Sequence, residues 1–246
     1  MQAASTLSRK TLVYSGRLIV LIWGLFLCSA GIFFTYRSDM GLGPWDVLHK
    51  GVSLHTPLSF GQASIAVGGL IILVGLCLRV RPGVGTVLNM LLIGSFVDIH
   101  LRLNWLPDLG AAPLVIRLLA DVAGVFLMGL GTAFYISPRL GAGPRDGLML
   151  RLNVLTGLRI AVVRGAIECS ALVIGFFLGG TVGVGTLIFA FGVGPAVEIG
   201  FWIIRRFFPA LVPLRAGVLP QPAHTLESAP ALRRQASRRM GQRSSK

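Results

Sequence analysis

The sequence predicts an all-α, polytopic membrane protein that is built from two duplicated halves. Of its 246 residues, 54% are hydrophobic and only 13% are charged, and the mean hydropathy is +0.77. Because a soluble domain carries about 25% charged residues, most of this chain is adapted to lipid. Glycine- and proline-containing breaks interrupt the apolar runs, and the same pattern of breaks occurs twice.

The duplication appears when residues 17–99 are aligned with residues 117–199, which gives 24 identities in 83 positions without a gap. Two motifs occur in the same order in both copies. The motif G-x-G-P-x-D stands at 41–46 and 141–146, and the motif G-V-G-T stands at 83–86 and 183–186. Self-similarity at a fixed period indicates a structural repeat.

The order of elements follows from the apolar runs. Residues 1–16 form a basic N-terminal segment, residues 17–107 form the first membrane repeat and residues 108–209 form the second. Six runs are long enough to span a bilayer; they cover about 17–36, 59–78, 83–103, 114–136, 160–178 and 183–204. Residues 210–246 are polar and basic without an apolar period, so we expect a disordered C-terminal tail.

Each G-x-G-P-x-D motif predicts a sharp break followed by a new helix. Glycine permits unusual backbone conformations, proline suits the first helical position, and an aspartate in the first turn meets the positive end of the helix dipole. The following segments, residues 44–56 and 144–156, are short for a crossing, so we expect surface or re-entrant half-helices. Full crossings would instead make the chain a parallel four-plus-four repeat.

The distribution of charge favours a cytoplasmic position for both termini. The formal net charge is +14, and basic residues concentrate at the N-terminus, in loops 79–82 and 137–159 and in the tail. Loop 37–58 is balanced in charge and residues 179–182 are uncharged. The positive-inside rule explains this pattern, and we expect no nucleic-acid partner. With three spans in each half, the halves then form an inverted three-plus-three repeat.

The first candidate site residues belong to the two G-x-G-P-x-D motifs. These residues are Gly43, Pro44, Asp46, Gly143, Pro144 and Asp146. In the simpler interpretation, each aspartate caps its helix. In the alternative, two broken helices meet near a pseudo-twofold axis, and their N-termini bind an anionic group or their aspartates bind a cation or a proton.

Other acids lie within or near the predicted spans. Asp98 and Glu198 occupy matching positions in the two halves, whereas Glu168 has no acidic counterpart. Ionisable residues inside a membrane are candidates for function, but arginines four residues away suggest local helical ion pairs instead. Those pairs would be Asp98–Arg102, Arg117–Asp121 and Arg164–Glu168.

The G-V-G-T motif predicts a helix break and close packing. Its residues are Gly83, Gly85, Thr86, Gly183, Gly185 and Thr186. A membrane threonine usually donates to a carbonyl of its own helix, paired glycines permit close approach, and the strand and lysine of a phosphate-binding loop are missing. Isolated cysteines and scattered histidines show no metal-ligand spacing, so we assign no metal, cofactor or enzymatic activity.

The two motifs, together with the acid near the end of the span that follows G-V-G-T, resemble the YczE/YyaS/YitT group of bacterial integral membrane proteins. The resemblance covers residues 17–207 and is closest to the YczE-like branch. It implies a multi-pass protein of the bacterial plasma membrane with duplicated halves, and it supplies no settled biochemical activity. Trp45 in one motif faces Arg145 in the other, so the two copies are not equivalent.

Two functions remain open. The duplication, the broken helices and the few membrane acids favour a transporter or channel for a small solute or ion. The alternative is a non-transporting scaffold or accessory factor, whose basic cytoplasmic face and tail bind anionic lipid or a partner. Neither hypothesis defines a substrate or an oligomeric state.

Overall fold

A computed structural model describes residues 2–208, with side chains from residue 14 onwards. This part of the chain forms helices only, which confirms the all-α class. The helices are α1 (Gln2–Ser38), α2 (Pro44–His55), α3 (Phe60–Cys77), α4 (Val84–Leu103), α5 (Leu114–Ile136), α6 (Pro144–Thr156), α7 (Ile160–Phe177) and α8 (Val184–Phe207). The expected disorder of the tail, residues 210–246, lies outside the described residues.

Six helices are long and apolar enough to cross a membrane, and they are α1 (over Tyr14–Ser38), α3, α4, α5, α7 and α8. The chain is therefore a multi-pass membrane protein, as the sequence predicts. Helices α2 and α6 have 12 and 13 residues. At about 1.5 Å per residue they are shorter than the hydrocarbon core, which is about 30 Å thick. Each half thus contains three long helices and one short one.

The two halves meet most extensively along α1 and α5. A Cβ atom on Gly24 would lie 2.7 Å from the carbonyl oxygen of Gly131, and one on Gly31 would lie 2.6 Å from that of Gly124. The residue number rises along α1 as it falls along α5, so the helices are antiparallel. Gly24 aligns with Gly124 and Gly31 with Gly131, so these contacts are reciprocal, as a twofold axis between the helices requires. The orientation of the halves in the bilayer stays a prediction.

The short helices are exchanged between the halves. Helix α2 packs on α7 of the second half, and α6 packs on α3 of the first. The first of these contacts is very close, because a Cβ atom on Gly175 would lie 2.4 Å from the backbone nitrogen of Leu48. Glycine at such a crossing lets two helix backbones approach each other.

Candidate functional site

The two repeated motifs dock onto each other across the halves. The loop before α2 accepts a hydrogen bond at the Met40 carbonyl from the Gly185 amide, at 2.8 Å. The loop before α6 makes the matching bond, in which the Gly85 amide donates to the Leu140 carbonyl at 2.9 Å. Each G-x-G-P-x-D loop is therefore held by the G-V-G-T turn of the other half, and the unpaired amides at the starts of α4 and α8 gain partners.

Glycine is required at the contact points of these loops. Gly41 and Gly141 have φ of 114° and 137°, where side chains are rarely tolerated. A Cβ atom on Gly41 would also lie 2.4 Å from the Gly183 nitrogen, and one on Gly141 would lie 3.1 Å from the Thr86 hydroxyl oxygen. The first glycine of each G-x-G-P-x-D motif thus fixes the path of its loop against the other half.

The motif threonines differ from the expected pattern of donation to their own helix. Each accepts a hydrogen bond from the glycine that precedes its helix, at 3.2 Å for both Thr86 and Thr186. The Thr86 hydroxyl also donates to the Ala142 carbonyl at 2.6 Å. This threonine therefore connects the start of α4 to the loop of the second half.

The short helices begin at their motifs as the sequence predicts. Gly43 and Gly143 are the N-cap residues, and Pro44 and Pro144 take the first helical positions. Asp46 and Asp146 lie in the first turns. The described residues show no hydrogen bond from a first-turn amide to either carboxylate. Side-chain capping by these aspartates is therefore not seen, although their charge still faces the positive helix ends.

The first turns of α2 and α6 meet each other. The guanidinium carbon of Arg145 lies 4.5 Å from the centre of the Trp45 ring. These two residues occupy the same position of the repeat, and a contact between equivalent positions lies on the pseudo-twofold axis. We use the name central cluster for the polar side chains gathered here, which are Asp46, His49, Tyr135, Arg145 and Asp146. The Trp45 ring stacks on one of them, Arg145.

The two aspartates of the central cluster have different partners. Asp46 is 2% exposed, and its Oδ1 lies 3.3 Å from Nδ1 of His49, which is 1% exposed. Asp146 is partly buried, and its Oδ2 accepts a hydrogen bond from the Tyr135 hydroxyl at 3.4 Å. The cluster therefore buries a carboxylate–imidazole pair on one side and a carboxylate–phenol pair on the other.

Arg145 experiences the field of both aspartates. Burial lowers the pKa of its guanidinium, whereas Asp46 and Asp146 act in the opposite direction. Burial also lowers the pKa of His49 below its ordinary value of 6.5, and the adjacent Asp46 carboxylate opposes this shift. With His49 neutral, two carboxylates and one guanidinium leave the cluster with one net negative charge. It can therefore accept a proton or a small cation without burying a net positive charge.

The surroundings of the two motifs differ. A Cβ atom on Gly143 would lie 3.5 Å from the Tyr135 hydroxyl and 3.6 Å from Oδ1 of Asn89, whereas one on Gly43 would meet the Phe189 ring at 3.0 Å. Asn89 and Phe189 are aligned positions of the repeat. The motif of the second half thus faces polar groups and the motif of the first half faces an aromatic ring, so the site is asymmetric.

Sequence reasoning missed three members of this region, His49, Tyr135 and Asn89. A usable signal was present for His49 and Asn89, because each aligns with an apolar residue in the other half, whereas Tyr135 aligns with a smaller hydroxyl residue. The counterparts are Met149, Thr35 and Phe189. A polar side chain in one copy of a membrane repeat that the other copy does without is a candidate for function.

Asp98 lies apart from the central cluster, near the start of α3. It accepts hydrogen bonds from the Ser59 hydroxyl and from the Gly61 amide, the latter at 2.8 Å. The expected local pair with Arg102 is wrong, because the free amides at the start of α3 take the carboxylate instead. Glu198, its counterpart, is exposed and makes no ion pair within the described residues.

The expected Arg117–Asp121 pair is also wrong. Arg117 donates to the Ser38 carbonyl at 2.9 Å and pairs with the carboxylate of Asp39 at 3.5 Å, so it satisfies the end of α1. Asp121 is fully buried and accepts from the Ser38 hydroxyl at 3.1 Å. By contrast, the Arg164–Glu168 pair is confirmed, with a distance of 2.8 Å. No metal-ligand group of three or more side chains occurs in residues 14–208.

Comparison with known proteins places these features in a family. A family model described as "Family of unknown function (DUF6198)" matches residues 15–200. An uncharacterised protein of Haemophilus influenzae is 36% identical over 187 residues, covering 76% of this chain and 84% of the relative. The uncharacterised membrane protein YczE of Bacillus subtilis is 36% identical over 180 residues, covering 70% of this chain and 81% of the relative.

A third relative, the uncharacterised protein YyaS of Bacillus subtilis, is 26% identical over 186 residues, which cover 75% of this chain and 92% of the relative. No solved structure matches the chain.

Proposed function

The chain belongs to the DUF6198 family of unknown function, with YczE and YyaS among its relatives, and we propose that it is a permease for a small solute or ion. In this proposal the solute or a coupling ion binds at the central cluster. In this proposal the protein resides in the bacterial plasma membrane. Both termini lie in the cytoplasm, because the arginines concentrate in the terminal segments and in the loops predicted to lie on the same side of the membrane. No enzymatic step is part of the proposal.

The contact between Trp45 and Arg145 carries the proposal. It brings the first turns of two short helices, one from each half, to a single point. Transporters with inverted repeats place their substrate and ion sites at such a junction, between the ends of discontinuous helices near the middle of the bilayer. The antiparallel packing of α1 against α5 supports an inverted arrangement, since these helices are equivalent members of the two halves.

The charge of the cluster favours a proton or a small cation as one occupant. A free helix N-terminus attracts anions, but each of these helices already carries an aspartate in its first turn. Arg145 balances only one of the two carboxylates. The buried pair of Asp46 and His49 then supplies a place where a proton can be held and released.

Transport by purified protein in proteoliposomes tests the proposal. Solid-supported membrane electrophysiology would record charge movement on addition of protons, alkali cations, small amines, amino acids and short carboxylates. We expect a signal from at least one of these solutes, and its loss in Asp46→Asn, Asp146→Asn and Arg145→Gln. Glu198→Gln is the matched control, because it removes an exposed acid outside the cluster.

Two results would contradict the proposal. One is a wild-type protein that is silent with every solute of the panel. The other is a signal that survives in both aspartate variants, provided that size-exclusion chromatography shows them to be folded.

The scaffold alternative rests largely on the tail beyond residue 208, outside the described residues, and no contact in the described part favours it. Truncation at residue 210 should leave a transport signal intact.

A further inference from the structure

A second polar site lies in the first half, away from the central cluster. It is an open cleft of about 420 Å³ that is lined by residues of α1, α2, α3 and α4, and we call it the α2–α4 cleft. Its polar lining consists of Tyr36, Lys50, Ser53, Ser59, Asp98 and Arg102. None of these residues belongs to the central cluster. The volume lies within the range of small-ligand sites, about 300–1,000 Å³.

The basic groups of the cleft have no acidic partner. Lys50 donates to the Tyr36 hydroxyl, and its Nζ lies 4.6 Å from the centre of the Tyr36 ring. Arg102 is exposed and makes no ion pair in residues 14–208. Neither cation forms an ion pair in this part of the chain, although Lys50 also borders a smaller pocket that contains Asp39 and Asp108. Two cationic side chains on one cleft therefore remain available to an anion.

Asp98 cancels only part of this positive charge. Its carboxylate accepts the Ser59 hydroxyl and the Gly61 amide at the start of α3, so its charge is directed to a helix N-terminus. The charged side chains of the cleft are Lys50, Arg102 and Asp98, and their sum is one net positive charge. The cleft thus differs in sign from the central cluster.

Comparison of the halves shows that the fold does not need these basic residues. Lys50 aligns with Leu150, and the acid at position 98 is kept as Glu198. Just beyond the aligned range, at the same offset of 100 residues, Arg102 corresponds to Trp202. The same helices therefore form in the second half without either cation. Basic groups that one repeat carries and its copy omits indicate a ligand instead of a packing requirement.

We propose that the α2–α4 cleft binds an oxyanion, a carboxylate or a phosphate, through Lys50 and Arg102. Both side chains make strong charge-assisted hydrogen bonds to such groups. Leu54 and Phe60, which also line the cleft, would contact the apolar part of the bound molecule. The oxyanion comes from a free solute or from a lipid headgroup. The inference uses no residue of the proposed transport site and stands independently of it.

Direct binding to the purified full-length protein tests the inference. Equilibrium dialysis in a neutral detergent would measure labelled orthophosphate and labelled acetate, and native mass spectrometry would count phosphatidylglycerol that stays bound. Lys50→Gln and Arg102→Gln each remove one cation from the cleft. Arg81→Gln is the matched control, because it removes an exposed arginine outside the cleft. Arg102 makes no hydrogen bond in the described part, so its replacement leaves the fold intact.

We expect the affinity of each cleft variant for the anion to be at least about tenfold lower than that of the wild type, which is the loss that one charge-assisted hydrogen bond brings. Arg81→Gln should bind like the wild type. If the cleft variants bind free phosphate or acetate more weakly, the ligand is a soluble anion. If they bind only phosphatidylglycerol more weakly, the ligand is a lipid headgroup. The inference fails if the wild type retains neither, or if both cleft variants bind as tightly as the control.

Discussion

The exchange of short helices between the halves makes a sharp prediction about two aligned glycines. Gly75 and Gly175 occupy the same position of the repeat, in α3 and α7. A Cβ atom on Gly175 would lie 2.4 Å from the backbone nitrogen and 2.6 Å from Cα of Leu48, whereas the nearest atom to one on Gly75 is Cβ of Val80, at 3.6 Å. Gly175→Ala should therefore destabilise the protein, and Gly75→Ala should not.

The size of the effect follows from the nature of the neighbours. At Gly175 the new methyl group meets backbone atoms, which cannot move unless α2 shifts away from α7. Overpacking of this kind costs about 1–3 kcal/mol, or about 2–4 °C in Tm for each kcal/mol in a chain of this length. At Gly75 the methyl group makes an ordinary contact, and alanine gains about 0.5–1 kcal/mol over glycine inside a helix.

Thermal unfolding of both variants in the same detergent, followed by intrinsic fluorescence, measures this difference. We expect a lower Tm for Gly175→Ala and an equal or higher Tm for Gly75→Ala. Equal shifts in the two variants, or a larger loss for Gly75→Ala, would refute the packing of α2 against α7. Because both positions are glycines at the same place in aligned helices, the comparison separates tertiary contact from local helix propensity.

Two further predictions concern the motif loop and the central cluster. Thr86→Val should cost about 1 kcal/mol more than Thr186→Val, because only Thr86 donates to a carbonyl of the other half; denaturant unfolding of the two variants measures the difference, and equal costs would contradict this contact. Burial holds the pKa of His49 below 6.5, so the unfolded chain binds a proton there before the native protein does. Stability should then fall as pH drops below 6.5. The drop in Tm between about pH 7.5 and about pH 5.5 should be smaller for His49→Gln than for the wild type and for the control variant His55→Gln. An equal drop in Tm for His49→Gln and His55→Gln would count against a buried, neutral His49.

The fold class and the helix order could be predicted from the sequence because they depend on local properties. Hydropathy over about 20 residues identifies a span, and the six predicted runs correspond to the six helices that can cross a membrane. Glycine followed by proline fixes a helix start without tertiary information, so the segment predicted at 44–56 matches α2, Pro44–His55.

The contacts between the halves could not be predicted in this way. Each G-x-G-P-x-D loop lies nearer in sequence to the G-V-G-T turn of its own half, yet it docks on the turn of the other. The pairing depends on the packing of α1 against α5, which no local pattern specifies. The meeting of Trp45 with Arg145 follows from the same arrangement, and the sequence shows only that the two residues differ.

The expected ion pairs failed where a helix end competed for the charge. Spacing of four residues suggested Arg117 with Asp121, but Arg117 instead satisfies carbonyl groups at the end of α1. Asp98 likewise binds the start of α3. Unpaired backbone groups at helix ends are costly to bury, so they take precedence over a helical pair worth about 0.2–0.5 kcal/mol. Arg164 and Glu168 have no such competitor and pair as expected.

The opposite orientation of the two halves is the central claim of this account, because the shared site at the ends of α2 and α6 depends on it. Thr56 and Thr156 are aligned and exposed, and the hydroxyl of each bonds only to residues within four positions of it in the chain. In a variant without the native cysteines, Thr56→Cys and Thr156→Cys would be treated separately with a membrane-impermeant maleimide. We predict labelling of Thr56→Cys in intact cells, and of Thr156→Cys only in inverted vesicles. Labelling of both from the same side would contradict the inverted arrangement and the shared site.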